Sequence, residues 1–216
     1  MIEKRIIRPE DGVAEHTHLQ EGDPVAGHAP TSKMKGLEIP MWYVIQVQSG
    51  TEEKIKQQCE RTISPDVLTR CYIPYYERMR RYEGAWHKEQ RLFFPGYLFL
   101  VSDRLEELYL NLKHVIGLTK LIGTGRQVVP LTESEIKLLR KLGNDTELIE
   151  MSQGIIEGKK TVILSGPLQG MEGCIRKIDR HKRIAYLEIE MMGRLVETQV
   201  GLEILAKEES IGICDD

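Results

Sequence analysis

Phe93-Phe94-Pro95-Gly96-Tyr97-Leu98-Phe99-Leu100 is half a buried strand and half an interruption of one. Leu98 to Leu100 end in the apolar run expected of a strand covered on both faces. Pro95 cannot donate a ladder hydrogen bond, and Gly96 brings no side chain to pack. A strand that holds Pro-Gly between aromatics bends, bulges or leaves an edge open. Two readings fit. Either a core strand is entered through a kink, or the kink presents Phe94 and Tyr97 as a surface for an apolar partner.

The surrounding chain has 216 residues, enough for one large or two small domains. Charged residues make up 29% of it and the net charge is -3, so any nucleic-acid contact must come from a local patch. The four cysteines, Cys59, Cys71, Cys174 and Cys214, contain no CxxC pair. That argues against a zinc site or a disulfide framework and for reduced thiols. No apolar run approaches the about 18 residues of a membrane span, and the amino terminus lacks the apolar core of a secretory signal. A cytoplasmic protein without metal or cofactor is expected. No HExxH, P-loop or nucleophile-elbow pattern occurs, and Gly123-Thr124-Gly125-Arg126 is too short a glycine turn to argue for a phosphate cradle. Binding rather than catalysis is the expectation.

Residues 1–40 read as a disordered extension, with Pro9, Pro24, Pro30 and Pro40 and few clustered apolar residues. His16, His18 and His28 lie there without the rigid frame that a metal site needs. From Trp42 the pattern becomes dense. Trp42 to Val47 is aromatic and β-branched and reads as a strand. Ser49 and Glu52 form a candidate capping box for a helix bearing Ile55, Cys59 and Ile63. Cys71 to Tyr75 is a second strand, and Glu77 to Arg91, with Gly84 inside it, is a hairpin or excursion. Asp103 is placed to cap a helix with Leu105, Leu108 and Leu112 on one side. A short strand follows over Leu118 to Ile122. Thr132 and Glu135 make a second capping box, with Gly143 as terminator. Residues 143–157 read as a linker. Beyond it the helical period gives way to short strands over 161–164, 173–178, 184–189 and 195–200, the pattern of a small barrel. The last residues, 208–216, form a tail.

Together these segments resemble the NusG family of transcription elongation factors. Trp42-Tyr43-Val44 followed by Gly50 and Glu53, the Phe93 to Leu100 segment, and Pro130-Leu131 before Glu135 match its amino-terminal domain. Ser165-Gly166-Pro167-Leu168, then Gly170, Gly173 and Gly193-Arg194, sit at the spacing of a KOW motif. The resemblance implies an α+β protein. Its parts are an amino-terminal α/β sandwich with an antiparallel sheet over 41–142 and a carboxy-terminal SH3-like β-barrel over 158–207. It further implies that Trp42, Tyr43, Phe94, Pro95, Gly96 and Tyr97 help grip the clamp helices of RNA polymerase, in a factor acting as a monomer.

Arg176-Lys177-Ile178-Asp179-Arg180-His181-Lys182-Arg183 is the densest basic run, with five Arg or Lys against one Asp. If Asp179 to Lys182 form a turn, the cations converge where a phosphate backbone or an RNA loop can be held. A solvated charged hairpin explains the run equally well. Arg194 extends the patch if it shares its face. Arg78, Arg80, Arg81, Lys88 and Arg91, interleaved with Tyr82 and Trp86, form a second basic group suited to single-stranded nucleic acid. The family resemblance implies the non-template DNA strand there.

One position departs from the family pattern: Leu168 stands where Phe usually follows Gly-Pro in the KOW loop. With the basic turn, this makes the chain most like the LoaP antiterminator branch. That branch implies a processive antiterminator whose KOW domain binds a leader RNA hairpin. A general elongation or pausing factor, or a KOW-containing ribosome-associated RNA-binding protein, are the alternatives.

Overall fold

The structure is a computed structural model that describes residues 41–121, 123–124, 127–143 and 146–208, all within one unit spanning 38–216. The 1–40 extension with its three histidines, Gly125-Arg126, Cys214 and the residues beyond 208 lie outside the described residues.

Strand β1 (Met41–Val47) pairs antiparallel with β5 (Tyr97–Ser102), which also pairs with β2 (Arg70–Tyr72). The short β6 (Leu118–Leu121) completes a sheet in the order β2-β5-β1-β6. Alternation along β1 and β5 divides the apolar residues between two cores. Tyr43, Ile45, Val47, Leu98 and Leu100 pack with Ile55 and Cys59 of α1 (Glu52–Thr62) and with Leu108 and Leu112 of α2 (Leu105–Leu112). Trp42, Val44, Phe99 and Val101 face the other way and pack with Leu139 and Leu142 of α3 (Glu133–Gly143). The antiparallel amino-terminal sheet therefore has helices on both faces.

Two expected caps do not form. Glu52 turns away from a capping box with Ser49, and its carboxylate instead accepts hydrogen bonds from the backbone N–H groups of Gly50 at 2.6 Å and Gly96 at 2.7 Å. At α2, Asp103 does not cap, and Arg104 N–H donates instead to Ser102 Oγ at 3.0 Å. The box at α3 does form: Thr132 N–H donates to Glu135 Oε2 at 2.7 Å, and Glu135 N–H donates to Thr132 Oγ1 at 3.3 Å.

The charged stretch after β2 is a two-stranded ribbon of β3 (Tyr75–Tyr82) and β4 (Ala85–Leu92). Glu83 and Gly84 turn it with φ of 50° and 79°, the pair of positive values that matches the twist of a two-residue hairpin. β7 (Gly123–Thr124) and β8 (Gln127–Val128) form a small separate pair, and β9 (Leu148–Ile149) runs parallel to β3.

The carboxy-terminal part corrects the expected barrel. β10 (Ser152–Glu157), β11 (Lys160–Ser165), β12 (Ile175–Asp179), β13 (Ile184–Met191) and β14 (Arg194–Glu208) form one five-stranded sheet in the order β11-β10-β14-β13-β12. β11 and β12 are its open edges, so no sheet closes on itself, and β10 with β14 makes a parallel pair in an otherwise antiparallel array. The apolar face that a closed barrel would turn inward belongs here to a shared core. Leu168, Met171, Ala185, Leu187, Val200 and Leu202 join one cluster with Trp42, Tyr72, Phe93 and Phe94 of the amino-terminal part. Strand-length runs separated by turns specify strands but not closure, and β9 and β10 lie within the segment expected to be a linker. Among the described residues, no helix is long and apolar enough to cross a membrane.

Candidate functional site

The turn into β5 is fixed by one positive-φ glycine and three hydrogen bonds. Gly96 adopts φ +86°, which favours glycine, and its N–H is held by Glu52. Val47 N–H donates to the Gly96 carbonyl at 2.9 Å, and Tyr97 N–H donates to the Phe94 carbonyl at 3.2 Å. Pro95 is exposed at the crest. Both opening readings are realised in part: the kink enters a core strand, and Tyr97 stays half-exposed while Phe93 and Phe94 are buried. Phe94 packs obliquely on Phe93 and Phe99, with ring centroids 4.4 and 5.7 Å away.

Alternation separates two residues expected on one surface. Trp42 shares a core with Phe94 and Tyr97, whereas Tyr43 points to the opposite face and packs with α1 and α2. Its phenol pKa is raised by burial and by the nearby Asp103 carboxylate.

The face that carries Phe94 and Tyr97 is covered by the carboxy-terminal sheet. Thr198 Oγ1 donates to the Phe93 carbonyl at 2.7 Å, and an Arg194 N–H donates to Tyr97 Oη at 2.7 Å. Met192 N–H donates to Glu135 Oε1. One carboxylate thus caps α3 and ties the two parts of the chain together. Backbone meets backbone at Gly201, where a Cβ would fall on the Glu77 carbonyl oxygen of β3. Thr198 and Gly201 carried no sequence signal, because an inward Thr and a strand Gly fit many sheets.

The expected RNA-contact residues are distributed unevenly. Arg180 to Arg183 form the turn between β12 and β13, one residue beyond the expected Asp179 to Lys182. Lys182 N–H donates to Asp179 Oδ1 at 3.0 Å, which holds that carboxyl below its usual range. Arg180, His181 and Lys182 are exposed there. Arg176 sits back on β12, ion-paired with Glu188, and Lys177 lies 5.7 Å over the Tyr186 ring. Arg194 is at the far end, engaged with Tyr97, and does not extend the patch. Arg183 pairs with Glu203 at 2.9 Å and lies over the Trp86 ring at 4.2 Å.

The second basic group is divided by the pleat of its ribbon. Arg78, Arg80 and Arg91 converge on Glu89. Partial desolvation pushes that carboxyl up, but hydrogen bonds from Arg78 and Arg91 outweigh it and hold the pKa below the usual range. Lys88 pairs with Glu77 at 3.1 Å. Arg81 has no such partner among the described residues. Of the thiols, burial pushes Cys59 up to about 11 and raises Cys71 further, so neither is poised as a nucleophile.

Residues 40–140, which contain the Phe93–Leu100 turn, match the family described as transcription termination factor nusG. Over these residues the chain is similar to the NusG family. The transcription termination/antitermination protein NusG of Halalkalibacterium halodurans is 28% identical over 171 residues, covering 75% of this chain and 94% of the relative. The Bacillus subtilis protein of the same name gives the same identity and coverage. Among solved structures, Thermotoga maritima NusG, studied for its domain interaction, is 25% identical with a TM-score of 0.52, covering 76% of this chain and 94% of its own. NusG-family proteins are non-catalytic transcription factors, in keeping with the absence of catalytic motifs in this sequence. None of these likenesses favours the LoaP branch over NusG in general.

Proposed function

We propose that this chain is a transcription elongation factor that engages RNA polymerase through the face bearing Trp42, Phe94, Pro95, Gly96 and Tyr97. The observation that carries this reading is the Phe93–Leu100 turn, fixed by Glu52, inside the region of NusG homology. Aromatic side chains beside an exposed crest suit a desolvated protein groove, where such anchors dominate interface energy. Tyr43 supports that face from the other core and is not part of it. The carboxy-terminal sheet occupies the same face, so engagement requires its contacts at Phe93, Tyr97 and Glu135 to be given up. The turn bearing Arg180, His181 and Lys182 is the RNA contact in this reading, with Arg183 behind it.

The general form, an elongation and pausing factor without a dedicated RNA target, is the one that the NusG relatives favour. The leader-hairpin antiterminator is the specialised form, and the exposed basic turn is its support. Leu168 lends it less than expected: the side chain is fully buried, so this position serves packing here rather than a partner surface.

Tyr97→Ala is expected to weaken binding to core RNA polymerase at least several-fold with little change in melting temperature. Unaltered binding with a lowered melting temperature would refute the docking face. Transcription through a terminator, with and without a leader hairpin, separates the two forms. Readthrough only with the hairpin marks the antiterminator, and hairpin-independent pausing marks the general factor.

A further inference from the structure

The two basic groups, far apart in sequence, meet. The pleat of the β3–β4 ribbon places Arg81 directly across from Trp86, both on the face turned toward the carboxy-terminal sheet. The β12–β13 turn approaches that face, and Arg183 lies over the Trp86 ring. Between them runs a groove of about 430 Å³ lined by Arg81, Trp86, Arg180, His181, Arg183 and Glu203, with Ile204 at its edge.

Its cations are only partly neutralised by neighbouring acids. Arg78, Arg80, Lys88 and Arg91 of the ribbon, and Arg176 and Lys182 near the turn, are each committed to a carboxylate. Arg81 and Arg180 have no carboxylate within ion-pair distance among the described residues, and both are exposed. The one acid in the groove, Glu203, is already engaged by Arg183. Salt bridging elsewhere thus leaves two uncompensated guanidiniums on opposite walls of one polar cleft. Between them, the Arg183 guanidinium is fixed by Glu203 on one side and Trp86 on the other. A guanidinium plane and an indole are the surfaces on which unstacked bases stack, and guanidinium forks suit phosphate oxygens.

We propose that this groove is a composite site for a single-stranded nucleic-acid segment, with Arg81 and Arg180 on its phosphates and a base against the Arg183–Trp86 stack. The cleft has the size of a small-ligand pocket and admits a nucleotide of a flexible strand, not the body of a duplex. An RNA loop and a displaced DNA strand both offer that chemistry. The proposal rests on the reading of the basic turn as a nucleic-acid contact and adds that half of the site comes from the amino-terminal ribbon.

The test uses the full chain and fluorescence anisotropy with short mixed-sequence single-stranded RNA, single-stranded DNA and a blunt duplex. Arg81→Gln and Arg180→Gln, which remove the charge but keep a polar side chain, are each expected to weaken single-strand binding about tenfold and to reduce the log–log salt slope by about 0.7. Trp86 emission should be quenched on binding, and the quenching should vanish in Trp86→Phe; the chain's other tryptophan, Trp42, is buried. The RNA and DNA arms identify which strand is preferred. Wild-type affinity in Arg81→Gln with a loss in Arg180→Gln would overturn the composite site and leave the turn as an RNA contact on its own. Wild-type affinity in both would overturn that reading as well. Duplex binding as tight as single-strand binding would overturn the ligand class.

Discussion

Glu52 shows how much one side chain can fix at the scale of residues. It is a buried acid in the first turn of α1, where a helix N-terminus favours negative charge, and its two oxygens hold the N–H groups of Gly50 and Gly96. The Pro-Gly kink therefore keeps its shape through a residue more than forty positions earlier, and the sequence offered no sign of that pairing. Ser49 and Glu52 matched a capping box because box and clamp demand the same residue types, and the buried N–H of Gly96 is the more costly one to leave unpaired. Leu168 makes a similar point. As a departure from a family pattern it pointed to a specialised branch, whereas its side chain is wholly enclosed and its N–H donates to Ser152 Oγ at 3.1 Å. Leu168→Phe, which restores the usual aromatic, should therefore overpack the site. We expect a loss of about 1–3 kcal/mol in urea unfolding of the full chain. A neutral or stabilising effect would mean that the position can swing outward, returning it to the list of partner contacts.

At the scale of elements, period-2 patterns were legible and sheet closure was not. β1, β5, the ribbon and most carboxy-terminal strands follow from alternation and turn residues, and the α3 box follows from Thr132 and Glu135. Whether five strands close depends on what covers their apolar face, and here the cover comes from Trp42, Phe93 and Phe94, distant in sequence. The same alternation explains why Trp42 and Tyr43 cannot share a surface, a constraint available from the sequence once β1 is assigned. The seam between β14 and β3 depends on Gly201 having no side chain, since a Cβ would meet the Glu77 carbonyl and lie 2.7 Å from Met151 Cγ. Backbone cannot yield as a flexible side chain can. Gly201→Ala is expected to cost about 1–3 kcal/mol. Amide exchange should rise first along β3 and β14, while β1 and α1, which pack in the other core, stay protected. Uniform loss of protection would instead show that the two cores unfold as one unit.

For the molecule as a whole, two proposed partners place opposite demands on one arrangement. The groove between Arg81 and Arg180 exists only while the carboxy-terminal sheet lies against the ribbon, and the same packing covers Phe94 and half-covers Tyr97. A strand bound in the groove then stabilises the docked arrangement, and polymerase bound at the aromatic face stabilises the separated one. Thermodynamic linkage makes that antagonism reciprocal: each ligand must lower the affinity of the other by the same factor. Saturating single-stranded RNA should weaken polymerase binding by about tenfold, within the usual coupling range of 1–3 kcal/mol, and polymerase should weaken RNA binding equally. The control is Arg81→Gln, which should abolish the effect of RNA on polymerase binding while leaving polymerase affinity without RNA unchanged. Titrating labelled RNA against a fixed concentration of factor and increasing core polymerase reads the coupling directly. Independent binding, or RNA that strengthens the polymerase complex, would mean that both partners occupy the factor together. In that case the polymerase face cannot be the one beneath β14, and the basic turn must take its RNA without the ribbon.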